Sequence, residues 1–314
     1  MTDKKITVKK KIILDTDMGV DCDDAAALAI LLNKQSIGEI EILCVTASST
    51  REGATGTIRA IADYYGAELK IGAMAYPALE CDKINNYGKI VKDTYGTKDS
   101  DRDAVDLLRE TLSEQEEKIT FISIGPLTNL SRLLQSEGDC RSDLNGIELV
   151  KEKVDIVYCM GGSFEQNKSR ADFSLDVQPE WNILQDVFSA RYVTENCPVG
   201  IVFLPFEAGS RVMTRMDKGK NPVWFSMKNY AISEHFSYEP VFERMSWDPV
   251  TCLCATDGCE EYYDYSPEGK ISVDERGNTV FTEGGGRDRI VLLKDGYLRI
   301  EELVNSMIPP VRKQ

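Results

Sequence analysis

Histidine is almost absent from this chain of 314 residues: there is one, at position 235. That excludes a His-rich metal site and any catalytic triad with a spare base. Long apolar runs are missing too. The longest, Ala25 to Leu32, falls far short of the roughly 20 residues needed to span a bilayer. The N-terminal stretch MTDKKITVKKKIIL is basic but has neither an apolar h-region nor a small-residue cleavage site, so no signal peptide is expected. No CxxC occurs among the nine cysteines, at 22, 44, 81, 140, 159, 197, 252, 254 and 259. Reduced, mostly buried thiols in a cytoplasmic protein are the expectation. Positive charge is in deficit, with 37 Lys and Arg against 52 Asp and Glu and a net charge of −15. No basic stripe stands out, and an acidic surface repels phosphate backbones, so a nucleic-acid partner is not expected.

What is present is globular: 42% hydrophobic and 28% charged residues. Short β-branched runs alternate with helix-like stretches through the first half. Strands are expected at Lys11–Leu14, Ile40–Thr46, Leu69–Gly72, Ile119–Ile124 and Val154–Met160, and helices at Ala25–Leu32, Thr57–Tyr65, Ala104–Glu114 and Leu127–Leu134. Continuously apolar strands followed by helices imply an α/β fold, a mostly parallel sheet covered on both faces. In such sheets, ligands sit at the carboxyl ends of the strands. Further on, Trp181–Thr194 reads as one helix, Val199–Leu204 as a strand and Asp217–Arg244 as helical. After Asp257 the segments KISVD, NTVFT and DRIVLL suggest a terminal hairpin region. No repeat, low-complexity tract or linker divides the chain, so residues 1–314 are read as one domain with an elaborated C-terminal part.

The densest chemical signal follows the first strand. Residues 11–27, KIILDTDMGVDCDDAAA, place Asp15, Asp17, Asp21, Asp23 and Asp24 between an apolar strand and an apolar helix. Like charges repel at such range, and a hard divalent cation with oxygen ligands would neutralise them. Many carboxylates at flexible spacing favour Ca²⁺ over Mg²⁺. Capping of the following helix accounts for part of the Asp23–Asp24 pair.

ILDTDMGVDCDDAAALAIL resembles the N-terminal signature of the inosine-uridine-preferring nucleoside hydrolase family, in a longer version with two extra residues before the Asp pair. ISIGPLTNLSRLL, YCMGGSF, PEWNILQD and SWDPV resemble further family segments in the same order. The resemblance spans about residues 11 to 255 and implies a Rossmann-like α/β fold and Ca²⁺-dependent hydrolysis of an N-ribosidic bond. It implies Asp17, Asp24, the Thr128 carbonyl and Asp248 as metal ligands, with Asp17 also taking the proton of the attacking water. Asp23, Glu180 and Asn182 would hold the ribose hydroxyls, with Trp181 packing beneath. A small-molecule riboside as substrate, no membrane partner and a homo-oligomer, dimer or tetramer, are implied with it.

Two departures concern the base. Trp247 stands where the family commonly has a His before Asp-Pro, and an indole cannot donate a proton to a leaving group. His235 lies in the segment expected near the base, where it would be an acid or a surface residue. Ser48 and Ser49 replace a common Gly-Asn, with Ser49 at the sugar-contacting position, and Arg51 adds a positive charge nearby. Two other readings stay open. One is a haloacid-dehalogenase-like phosphatase, with Asp15 as nucleophile, Asp17 as acid and Mg²⁺ as metal. The other is a Ca²⁺- and ribose-binding homologue without catalysis.

Overall fold

The computed structural model describes residues 9–75, 85–168, 178–216, 219, 221–237, 242–294 and 299–310. The chain opens on β1 (Lys10–Thr16), buried from Ile12 onward, and α1 (Asp23–Ser36). Because α1 is apolar on nearly every side, it is buried from Asp23 through Lys34. There follow β2 (Ile40–Ala47), α2 (Ala54–Tyr65), β3 (Ile71–Ala73), α3 (Tyr87–Tyr95), α4 (Ala104–Ser113), β4 (Ile119–Ser123), α5 (Thr128–Leu134), α6 (Gly146–Lys153) and β5 (Val154–Met160). The next elements are α7 (Glu165–Lys168), α8 (Trp181–Gln185), α9 (Val187–Asn196), β6 (Ile201–Leu204), α10 (Phe206–Gly209), β7 (Met213–Met216) and α11 (Pro222–Ser233). β8 (Phe242–Met245), α12 (Trp247–Asp257), β9 (Tyr263–Tyr265), β10 (Gly269–Val273), β11 (Thr279–Glu283), β12 (Arg289–Leu293) and α13 (Ile300–Met307) complete the order.

Eight strands form the central sheet in the order β3-β2-β1-β4-β5-β6-β12-β9. Neighbours run parallel except at the β12–β9 edge. The pleat of β1 sends Ile12 and Leu14 to one apolar core and Ile13 to the other, so the sheet is covered on both faces. Helices α1, α2, α11 and α12 pack on the first face, and α4, α5, α6 and α9 on the second. From β1 the strand order runs outward in both directions. The crevice beyond the carboxyl ends of β1 and β4 is therefore the topological switch point, where such sheets bind ligands.

Three segments differ from their sequence reading. The expected helix over 181–194 is two helices, because Asp186 leaves the helical region (φ −149°, ψ 77°). Its carboxylate accepts from the Ser189 backbone N–H at 3.0 Å and from the Thr128 hydroxyl at 2.7 Å. Of the expected helical stretch 217–244, α11 is helical and Phe242–Met245 is a strand paired antiparallel with β7. Residues 217, 218, 220 and 238–241 lie outside the described residues. KISVD and NTVFT do form a hairpin, β10 with β11, whereas DRIVLL supplies β12, which enters the central sheet beside β6. The eight described cysteines are free, and six of them are buried; Cys81 lies outside the described residues.

Candidate active site

β1 delivers Asp15 and Asp17 to the switch point, and α1 begins with Asp23 and Asp24. The connecting loop turns tightly: the Val20 N–H donates to the Asp17 carbonyl at 3.0 Å. Gly19 takes φ +102°, a conformation that glycine alone adopts without strain. Its N–H donates to the Tyr87 hydroxyl at 2.7 Å, which anchors the loop to α3. Across the crevice, α12 contributes Asp248 in its first turn. The backbone N–H of Asp248 donates to Asp23 at 3.1 Å and locks the two helix starts together.

The result is three buried carboxylates, Asp17, Asp24 and Asp248, with one oxygen from each lying within 4.8 Å of the others. Burial pushes all three well above the usual carboxylate range, and mutual repulsion adds to it: Asp23 then Asp21 on Asp17, Asp17 then Asp23 on Asp24, and Asp23 then Asp24 on Asp248. Asp23 is pushed up to about 7, by burial and then by Asp21. One Asp24 oxygen accepts from the Thr16 hydroxyl, while Oδ2 is buried with no hydrogen-bond partner. Such a cluster must be neutralised by protons or by a cation. An all-oxygen donor set with an orphaned, inward carboxylate oxygen fits a hard divalent metal ion.

Above the cluster opens a cavity of about 240 Å³ with Asp17, Asp23 and Asp248 in its wall. Glu180 and Asn182 line it from the carboxyl end of β5. Glu180 is 2% exposed and accepts from the backbone N–H groups of Gly162 (3.0 Å), Asn182 (3.0 Å) and Ile183 (3.2 Å). Burial outweighs those donors and raises its carboxyl to about 7. The Asn182 amide donates to the Met160 carbonyl at 3.3 Å. Trp181 and Trp247 add apolar wall.

The family model for inosine-uridine preferring nucleoside hydrolases matches residues 12–296. The chain belongs to this family. Among curated nucleoside hydrolases it is 28% identical over 185 residues to the non-specific ribonucleoside hydrolase RihC of Salmonella paratyphi B, and equally to that of Salmonella agona. These alignments span 56% of this chain and 56% of the relative, so the chain matches about half the length of its curated relatives. Among solved structures, the inosine-uridine preferring nucleoside hydrolase of Bacillus anthracis superposes with a TM-score of 0.66 at 19% identity, over 96% of this chain and 100% of that one. An inosine-guanosine nucleoside hydrolase gives a TM-score of 0.70 at 17% identity, over 96% and 100%. The type III effector XopQ, solved with adenosine diphosphate ribose, gives 0.67 at 16%, over 96% and 93%. At these identities the likeness establishes the nucleoside-hydrolase fold.

Of the residues singled out by sequence, the structure gathers Asp17, Asp23, Asp24, Asp248, Glu180, Asn182 and Trp247 at this site. Thr128, Ser49 and His235 are not among the described residues that line the cavity. Thr128 opens α5 and spends its hydroxyl on Asp186; from that turn it is Ile124 that reaches the cavity. Ser49 accepts from the Arg51 N–H at 3.2 Å, and neither residue reaches the cavity wall. His235 is an exposed turn residue with φ +59°. Asp15 is fully buried and away from the cavity, holding the Thr46 hydroxyl (2.6 Å) and the Asn129 amide (2.8 Å). That placement denies it the nucleophile's role in the phosphatase reading. Sequence reasoning missed Arg244, Tyr230, Phe206 and Asn85, all in the cavity wall. No spacing rule marks them, since three come from the irregular second half and Asn85 from the loop before α3.

Gly125 is packed tightly against the floor of this site. A Cβ there would stand 2.5 Å from the Ser48 hydroxyl and 2.8 Å from both the Cβ and the backbone nitrogen of Asp17. Relief requires the chain to shift at Asp17, just after β1. Gly125→Ala is expected to weaken cation binding at least about tenfold while costing about 1–3 kcal/mol of stability. Calorimetric Ca²⁺ titration together with a thermal melt checks both.

Proposed function

We propose that this chain hydrolyses the N-glycosidic bond of a ribonucleoside or related riboside, giving ribose and free base, with Ca²⁺ as its metal. The observation carrying this reading is the buried Asp17–Asp24–Asp248 cluster at the floor of a cavity walled by Glu180 and Asn182. Those three aspartates would hold the ion, which when bound lowers the pKa of water and grips the ribose diol. Among the residues resembling the family's ligands, Thr128 gains no support from its position, and the site is carried by the carboxylates.

In this reading Asp17 accepts the proton of the water that attacks the anomeric carbon. The water oxygen bonds to that carbon as its bond to nitrogen breaks, and the electron pair leaves with the base. Asp23 accepts a hydrogen bond from one ribose hydroxyl, while Glu180 and Asn182 take others. Positive charge develops on the ribose as in an oxocarbenium ion, and the surrounding carboxylates stabilise it. Trp247 cannot serve as acid, and its indole N–H is already given to the Phe206 carbonyl at 2.9 Å.

We further propose one domain over residues 1–314, a cytoplasmic location and a dimer or tetramer. Among the described residues no helix is long and apolar enough to cross a membrane. The test is a panel of purine, pyrimidine and nicotinamide ribosides incubated with the Ca²⁺-loaded protein, with sugar and base quantified. Equimolar ribose and base are expected from at least one member. Tight riboside binding with no release from any would replace this reading by the non-catalytic ribose binder.

A further inference from the structure

Hydrolysis leaves negative charge on the departing base, and the cavity wall is crowded with carboxylates that oppose it: Asp17, Asp21, Asp23, Glu180, Glu234 and Asp248. Among the described residues lining the cavity, Arg244 is the one cation. Its side chain is 19% exposed and bonded side-on to Asp21, with Nε donating to Oδ1 at 2.9 Å and Nη2 to Oδ2. The guanidinium carbon also lies over two aromatic rings, 5.2 Å from the centroid of Trp247 and 5.3 Å from that of Tyr230. Asp21 is itself held from three sides. Its Oδ2 accepts from the Tyr230 hydroxyl at 3.3 Å, its Oδ1 from the Cys22 N–H at 2.6 Å, and its carbonyl accepts the Tyr87 hydroxyl. Nη1 takes no part in the Asp21 pair.

Three other groups that could have helped the base to leave are spent or distant. The Trp247 N–H is committed to Phe206, the Tyr230 hydroxyl to Asp21, and His235 is on an exposed turn. Two departures from the family signature thus meet at one group. The lengthened loop supplies Asp21, which orients the guanidinium, and the indole replacing the usual imidazole supplies the ring over which it lies.

We propose that Arg244 is the leaving-group residue of this site, donating a hydrogen bond to the departing base as Asp21 and Trp247 hold it in place. No proton moves from the guanidinium, which stays charged throughout. The electron pair of the broken bond rests on the base under the influence of Arg244, and water protonates the base afterwards. This inference rests on the proposed hydrolysis.

The test compares a nucleoside with 4-nitrophenyl riboside, whose 4-nitrophenolate leaves without help. Losing a donor aimed at developing charge costs about 10²–10³-fold in rate. The ratio of the two rates, nucleoside over nitrophenyl riboside, is therefore expected to fall about 10²-fold in Arg244→Gln and to recover in part in Arg244→Lys. The double variant Asp21→Asn/Arg244→Gln, which leaves no unpaired charge, is expected to give the same ratio and covers the case in which Arg244→Gln does not fold. An unchanged ratio, with both rates falling together, would overturn the assignment and leave the hydrolase reading standing. Wild-type protein that cleaves neither compound would overturn both.

Discussion

Asp17→Asn is expected to fold and yet to release ribose at least about 10³-fold more slowly than the wild type. General-base assistance alone is worth about 10²–10⁴-fold, and the same residue is also proposed to ligate the metal. Folding should survive because the amide keeps the carboxylate's shape and removes a charge that Asp23 and Asp21 oppose. In chelator the variant should therefore melt no lower than the wild type, whereas its stabilisation by Ca²⁺ should shrink. Initial rates and paired melts decide the matter. A variant that keeps more than about a tenth of the wild-type rate would remove Asp17 from the chemistry.

The second large effect is a reversal in how pH acts on stability. Burial raises Asp15, Asp23 and Glu180 to about 7, from the ordinary carboxylate value near 4 in the unfolded chain. Between about pH 4 and 7 the folded state then holds more protons than the unfolded one. The stability these groups contribute is complete below pH 4 and is lost as pH rises through 7. The metal-free protein is therefore expected to lose stability steadily across that window. A bound cation inverts the trend at its own ligands, because protons compete with it as pH falls. At a thousand times its dissociation constant, a ligand adds about 4 kcal/mol. Melting temperatures from pH 5 to 8 should thus fall in chelator, and the gap opened by Ca²⁺ should widen with rising pH. A gap that does not change with pH would remove the aspartate cluster as the binding site.

The parts of this molecule legible in its sequence are those fixed by local pattern. Val154–Met160 reads as a strand and is one, since a run of β-branched and apolar residues interrupted only by Asp155 has few other homes in an α/β fold. The aspartates after β1 were legible because charge packed between two apolar segments has to be neutralised. The break at Asp186 was not. It depends on the carboxylate reaching both its own helix and Thr128, and neither bond leaves a periodic trace. Ile124, just before PLTN, lines the cavity, and no motif marks it, because its placement follows from the chain direction after β4. Arg244 was the least legible of all. Its partner Asp21 lies 223 positions away, and only the assembled crevice shows that Asp21 and Trp247 sit against one guanidinium.

The central claim is that one cation held by Asp17, Asp24 and Asp248 makes this cavity a ribosidase. It is tested most directly by stripping the protein with chelator, adding Ca²⁺ back in known amounts, and following bound metal and ribose release in the same samples. Release from a cleavable riboside is predicted to be absent at the start, to rise in step with occupancy and to level off at one ion per chain. Full release from the stripped protein, or saturation with one ion and no ribose from any riboside, would contradict the account.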